Sequence, residues 1–180
     1  MRKIRLFIAS SLDGYIARKT GEIDWLFTDA DYGYTEFYDQ IDTVLMGRKT
    51  YQQVLTFGEY PYPKKKGFVF SKSDQGTKTN HVEFIGGDCK NFIESLRQSP
   101  GQDIWIVGGG QLIHEFLRQG WIDELILSIH PIILGSGIPL ITSDPNLEIS
   151  LELKQVKTYP SGLLQVSYDL KNCSLITDNY

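Results

Sequence analysis

The 180-residue chain has only two cysteines, Cys89 and Cys173, and only three histidines, His81, His114 and His130. Two cysteines so far apart make no disulfide framework and fit a reducing compartment. The histidines show neither a Cys/His spacing nor an HExxH pattern, so no metal site is expected. GxSxG is missing, and neither cysteine stands in the setting of a nucleophile. The familiar hydrolase chemistries therefore have no carrier. No apolar run is long enough to span a bilayer, and the one in MRKIRLFIAS is too short for a signal peptide. A cytoplasmic protein without a membrane partner is expected. Acidic residues outnumber basic ones, 22 against 18, for a net charge of −4. That balance argues against nucleic acid as a partner. The one dense basic run, Lys64-Lys65-Lys66, falls between YPYP and a strand and reads as solvated loop.

What is present is an α/β alternation. IRLFIAS, DTVLMG, GFVFS, HVEFIG, DIWIVG and DELILSIHPII read as strands, rich in β-branched and aromatic residues. Between them DADYGYTEFYDQI, RKTYQQVL, CKNFIESLRQ and GQLIHEFLRQG read as helices. This order predicts parallel core strands with helices on both faces. SLELKQVKTYP and GLLQVSYDLK then alternate with period two around PSG, so they are expected to close the sheet as an antiparallel hairpin. One domain over residues 1–171 is expected, with 172–180 a poorly ordered tail.

The most informative stretch is IWIVGGGQLIHEFL, where a strand period gives way to a helical one across Gly108, Gly109 and Gly110. Glycines there allow positive φ and close approach, and a helix N-terminus suits a phosphate. The other reading is a tight strand-to-helix turn alone. GxGxxG fails because Ile113 stands where its third glycine belongs, and no Lys-Ser or Lys-Thr follows to make a P-loop. Two more segments sit at predicted strand ends, where open α/β sheets bind ligands. In MGRKTY, helix-start N–H groups, the Arg48 fork and the Thr50 hydroxyl make an anion site, or else a capped helix with solvated bases. In FSKS, Ser71 and Lys72 offer a second. Two anion sites and a glycine turn suit a dinucleotide with a 2′-phosphate. The third segment, SSLDGYIA, follows the first strand with a turn at Asp13-Gly14.

This order of motifs, ending in IDELILSIHPIILGSGIPL, resembles the dihydrofolate reductase-like superfamily over about residues 2–171. MGRKT and VGGG are shared with dihydrofolate reductases generally. SLDG and ILGSGIPL point to the branch that contains the reductase domain of the riboflavin-biosynthesis protein RibD. The resemblance implies a three-layer α/β/α fold with a mixed, mostly parallel sheet and a C-terminal antiparallel hairpin, often dimeric. It implies NADPH as cofactor. Gly47, Arg48, Lys49 and Thr50 would hold phosphates, with Arg48 near the 2′-phosphate. Ser71 and Lys72 would flank the adenosine end. Gly108, Gly109, Gly110, Gln111 and Leu112 would wrap the pyrophosphate. The implied reaction carries a hydride to a C=N or C=O carbon of a small heterocycle, as in a 5-amino-6-(5-phosphoribosylamino)uracil reductase or a related pteridine or pyrimidine reductase. The alternatives are dihydrofolate reductase activity and a sensor or scaffold that binds NADPH without turnover.

The chain departs from both templates. RibD reductase domains commonly place a lysine six residues before the aspartate of SLDG, where this chain has Phe7. Dihydrofolate reductases place a carboxylate on the first helix, for which Asp29, Asp31, Glu36 and Asp39 compete here. Asp13 is expected to serve catalysis, either as a proton donor with raised pKa or by orienting water or substrate. Its other reading is an Asp-Gly turn former, in which case Asp29 and Asp31 are next. The apolar run from Ile122 to Ile141 is read either as a homodimer surface or as a central strand with a covered loop.

Overall fold

The computed structural model describes residues 1–87 and 89–171, so the expected tail lies outside the described residues. Eight strands form one sheet. They are β1 (Ile4–Ser11), β3 (Ile41–Gly47), β4 (Lys66–Phe70), β5 (Val82–Ile85), β6 (Asp103–Gly108), β7 (Glu124–His130), β9 (Leu151–Thr158) and β10 (Leu164–Leu170). Their order is β5-β4-β3-β6-β1-β7-β10-β9, parallel from β5 through β7 and antiparallel across β10 and β9. A two-stranded ribbon pairs β2 (Tyr15–Ala17) with β8 (Ile138–Pro139).

Alternation along β1 sorts its side chains between two cores. Ile4 and Leu6 join Leu45, Ile104 and Ile106 under α3 (Cys89–Gln98) and α4 (Gly110–Arg118). Phe7 faces the other way, with Val44, Met46 and Trp105 under α1 (Tyr34–Asp39) and α2 (Arg48–Thr56). The result is the three-layer α/β/α arrangement. Burying such side chains contributes about 1.5–3 kcal/mol each relative to exposure. Two buried arginines enter the sheet at the start of β1, and both are paired. Arg2 is held by Asp42 and Thr43, and Arg5 by Glu124 and Gln40 above the Phe37 ring.

Two local expectations are corrected, and one element is new. The helix read over residues 29–41 is only Tyr34–Asp39, because Tyr32 (φ 51°) and Gly33 (φ 79°) turn the chain in the left-handed region just before it. The strand read over residues 123–133 ends at His130. It is central, between β1 and β10, whereas the segment after it leaves Ile133 and Ile141 exposed. The short ribbon has no counterpart in the sequence reading. It explains part of ILGSGIPL, since a Cβ on Gly137 would lie 2.3 Å from the Ala17 carbonyl oxygen. No helix among the described residues is long and apolar enough to cross a membrane.

Candidate functional site

The C-terminal ends of β3 and β6 lie side by side, with Met46 opposite Gly108. Each strand runs directly into a helix, so Gly47 caps α2 and Gly109 caps α4. Neither cap carries a side-chain hydrogen bond, and neither first turn holds an acidic residue. Two helix N-termini thus bring unpaired N–H groups and positive dipole ends to one place. The fit is close. A Cβ on Gly109 would stand 3.1 Å from Thr50 Oγ1 and 3.6 Å from the Gly47 nitrogen. Gly109 itself has φ 100° and ψ 106°, a conformation that side chains resist. A Cβ on Gly110 would meet the Pro139 carbonyl oxygen of β8 at 3.2 Å. The glycines are therefore required by the turn and by the close approach of the two helix starts.

The remaining expected cofactor residues divide. Thr50 joins this close approach, and Gln111 is exposed beside it. Leu112 instead packs against the α3/α4 core. Lys49 and Lys72 are exposed. Arg48 reaches across to the segment after β4, where its Nη1 donates to Ser73 Oγ at 2.5 Å. Its Nε lies 3.2 Å from Asp74 Oδ2, which also accepts from Ser71 Oγ at 2.8 Å. The sequence reading found Arg48 and Ser71 but not the carboxylate between them.

Across β1 from the two helix starts, on the α1 face, lies a cavity of about 360 Å³. Phe7 and Ala9 of β1, Ser128 and His130 of β7, and Leu163 supply part of its wall. The segment before α1 and the first residue of α1 supply the rest, chiefly Phe27, Asp31, Tyr32 and Tyr34. The wall is mostly apolar, with four Phe and Tyr rings in it, and holds one carboxylate. Phe7, in place of a lysine, stacks on Phe37 at 4.6 Å and meets Tyr34 edge-on at 6.1 Å. An ammonium there would stand in an aromatic box.

The three candidate aspartates are separated. Asp31 lines the cavity, and its carboxylate accepts the Thr35 N–H and, at 2.7 Å, the Thr35 hydroxyl. These bonds, the Thr35 side chain first, hold its pKa below the usual carboxylate value. Asp29 instead accepts from the Tyr32 hydroxyl at 2.7 Å and is not part of the wall. Asp13 also lies outside the wall. It accepts from Ser11 Oγ at 2.7 Å, from the Leu134 N–H at 3.0 Å and from the Gly135 N–H at 2.7 Å. Ser11 above all lowers its pKa, the opposite of what direct proton donation requires. Asp13 ties the loop after β1 to the loop after β7.

His130, which has no metal-ligand spacing in the sequence, lies in the cavity wall. Its Nε2 accepts the Phe27 N–H at 3.2 Å, and Nδ1 lies 3.4 Å from the Ser128 carbonyl oxygen. The ring is therefore neutral with its proton on Nδ1, and it pins the segment carrying Phe27. Burial lowers its pKa from the ordinary 6.5, against a smaller opposing effect of the Ser128 carbonyl. The unfolded chain thus binds this proton more readily than the folded one. The stabilisation is full above the unfolded pKa and lost as pH falls through it toward the folded pKa. Between about pH 7.5 and about pH 5.5 the melting temperature should drop. The drop should be smaller in His130→Gln, and an equal drop in both would assign it to other groups.

The family model for the RibD C-terminal domain matches residues 63–165. The uncharacterized protein YwjB of Bacillus subtilis is 42% identical over 162 residues, which cover 88% of this chain and 92% of that protein. YyaP of the same organism, also uncharacterized, is 39% identical over 179 residues, covering 93% and 94%. Among solved structures, a Shewanella sp. PV-4 protein provisionally assigned to riboflavin biosynthesis superposes with TM-score 0.84. It is 31% identical, and the match covers 94% of this chain and 99% of that one. The diaminohydroxyphosphoribosylaminopyrimidine deaminase/5-amino-6-(5-phosphoribosylamino)uracil reductase of Thermotoga maritima superposes with TM-score 0.72 at 20% identity. That match covers 96% of this chain and 57% of the other, and is a likeness of fold.

Proposed function

The chain belongs to the RibD C-terminal domain family, and from that premise we propose that it is an NADPH-dependent reductase of a planar pyrimidine or pteridine. The observation that carries the reading is the juxtaposition at one end of the sheet. An uncapped pair of helix N-termini, fit for a pyrophosphate, lies at the same end of the sheet as a cavity of about 360 Å³ across β1, with four Phe and Tyr rings and one carboxylate in its wall. When bound, the dinucleotide supplies the hydride.

The chain's own residues do the rest. Gly47, Thr50, Gly108, Gly109 and Gly110 hold the pyrophosphate through backbone N–H groups and one hydroxyl. Arg48 faces the 2′-phosphate. In the cavity, Phe7, Phe27 and Tyr34 bracket a flat ring, which fixes its face toward the cofactor. Asp31, ionised at neutral pH, accepts hydrogen bonds from amino or ring N–H groups of that ring. Hydride addition leaves an electron pair on substrate nitrogen or oxygen, which must be neutralised. The Tyr34 phenol, its pKa pushed up to about 12 mainly by burial, remains protonated and able to donate a hydrogen bond. His130 acts indirectly, by holding Phe27 in place.

The test is NADPH oxidation with aminopyrimidines, with and without a phosphoribosyl arm, and with pteridines. Turnover of one class is expected. Cofactor binding with no turnover on any of them would favour the sensor or scaffold reading. Arg48→Ala should weaken NADPH binding by roughly tenfold or more and leave NADH nearly unchanged, because one charge-assisted contact contributes roughly 1.5–3 kcal/mol. Titration by fluorescence quenching reads both constants, and equal losses for both cofactors would move Arg48 away from the 2′-phosphate.

A further inference from the structure

Arg48 already has a counterion. Its Nε lies 3.2 Å from Asp74 Oδ2, and its Nη1 is engaged by Ser73. Ser71 and Ser73 donate their hydroxyls to that same Oδ2 at 2.8 and 3.0 Å. Four side chains from two strand ends thus close a ring of polar contacts at the place proposed for the 2′ position of the adenosine ribose. The motifs of the cofactor reading include Arg48 and Ser71 but not this carboxylate.

Its consequence is electrostatic. A 2′-phosphomonoester carries about −1.5 to −2 charge at neutral pH. Arg48 alone would attract it strongly, but the Arg48–Asp74 pair has no net charge. The phosphate must come up beside a like-charged carboxylate or displace it from Arg48. An unphosphorylated ribose meets the opposite situation, since a carboxylate is a good acceptor for a free 2′-hydroxyl. The two side chains favour different cofactors from one position.

We infer that Asp74 sets the degree to which this chain prefers a 2′-phosphorylated dinucleotide. Its carboxylate neutralises Arg48 and opposes the phosphate, which keeps the preference modest and leaves NADH an effective second cofactor. This rests on the reading that Arg48 faces the 2′-phosphate. The role is one of specificity, distinct from the chemistry in the cavity. The ring is also partly open to solvent, with side-chain exposures of 47% for Arg48 and 30% for Asp74, so the effect is screened and moderate.

Asp74→Asn isolates the charge, because the amide oxygen still accepts from Arg48 Nε or from one serine hydroxyl. Wild type, Asp74→Asn and Arg48→Ala are titrated with NADPH and with NADH by fluorescence quenching, at low and high salt. The expected result is roughly fivefold tighter NADPH binding in Asp74→Asn, with NADH unchanged or weaker. The gain should shrink at high salt. If Arg48→Ala collapses the preference but Asp74→Asn leaves the NADH-to-NADPH ratio unchanged or lowers it, Asp74 merely orients Arg48 and the inference fails. In that case the proposed cofactor site stands. If Arg48→Ala leaves the ratio untouched, or neither dinucleotide binds the wild type, the site reading itself fails and the inference with it. Melting temperatures of both variants confirm that exposed-loop changes have left the fold intact.

Discussion

Replacing Gly109 with valine should abolish NADPH binding and also lower the melting temperature. The binding loss follows from the close approach. A Cβ at this position stands 3.1 Å from Thr50 Oγ1 and 3.6 Å from the Gly47 nitrogen, so the branched side chain fills the space where the two helix N-termini meet. The stability loss follows from the backbone. Gly109 sits at φ 100° and ψ 106°, and a residue held in so sparse a region costs about 1–3 kcal/mol. For a domain of this size each kcal/mol moves the melting temperature by about 2–4 °C. From the sequence alone the substitution is expected to abolish binding with little loss of fold, on grounds of close approach and positive φ together. The dihedral angles show that turn and close approach are inseparable. Gly109→Ala should be intermediate on both scales. Full-strength NADPH binding by a folded Gly109→Val would show that the pyrophosphate lies elsewhere.

Asp31→Asn should lower kcat/KM by roughly 10- to 100-fold once a substrate is in hand, the loss of one charged hydrogen-bond partner. Its melting temperature and NADPH affinity should stay near wild type. Asparagine can still accept the Thr35 N–H that Asp31 accepts, and the two residues cap helices about equally well. The carboxylate's charge is then the only thing removed from the cavity wall. A variant that turns over at the wild-type rate would reduce Asp31 to a structural partner of Thr35. A parallel fall in melting temperature would say the same, because the defect would then belong to the fold.

The strands were legible wherever a run of β-branched and aromatic residues was long enough to carry a period. IRLFIASS, IDTVLMG and DIWIVG have that length, and the β9/β10 hairpin showed its alternation around a Pro-Ser-Gly turn. The ribbon between Tyr15–Ala17 and Ile138–Pro139 did not, because three residues and two cannot display a period. The start of α1 was misread because GYTEFYD continues an apparent helical pattern leftward, while the left-handed turn at Tyr32 and Gly33 is a conformational fact. The close packing of the two helix starts could be read because glycines and helix starts are local signals. His130 could not, since its meaning lies in the N–H of Phe27, far away in the chain. Asp74 had a faint local signal. It stands just past the FSKS that drew attention, where a serine three residues before an aspartate invites a turn-closing hydrogen bond.

The pairing of β3 with β6 has a consequence for how the protein comes to exist at all. Gly47 and Gly109 meet only after the whole segment between them, including β4, β5 and α3, has been looped out and closed. Closing such a loop carries an entropic cost before any contact across it is rewarded, and parallel pairing of distant strands is slow for that reason. On the proposed reading, a dinucleotide spanning the two helix starts would bind only chains that have completed this step. It would therefore act as a clasp on this pairing, withdrawing finished molecules from the equilibrium with partly assembled ones.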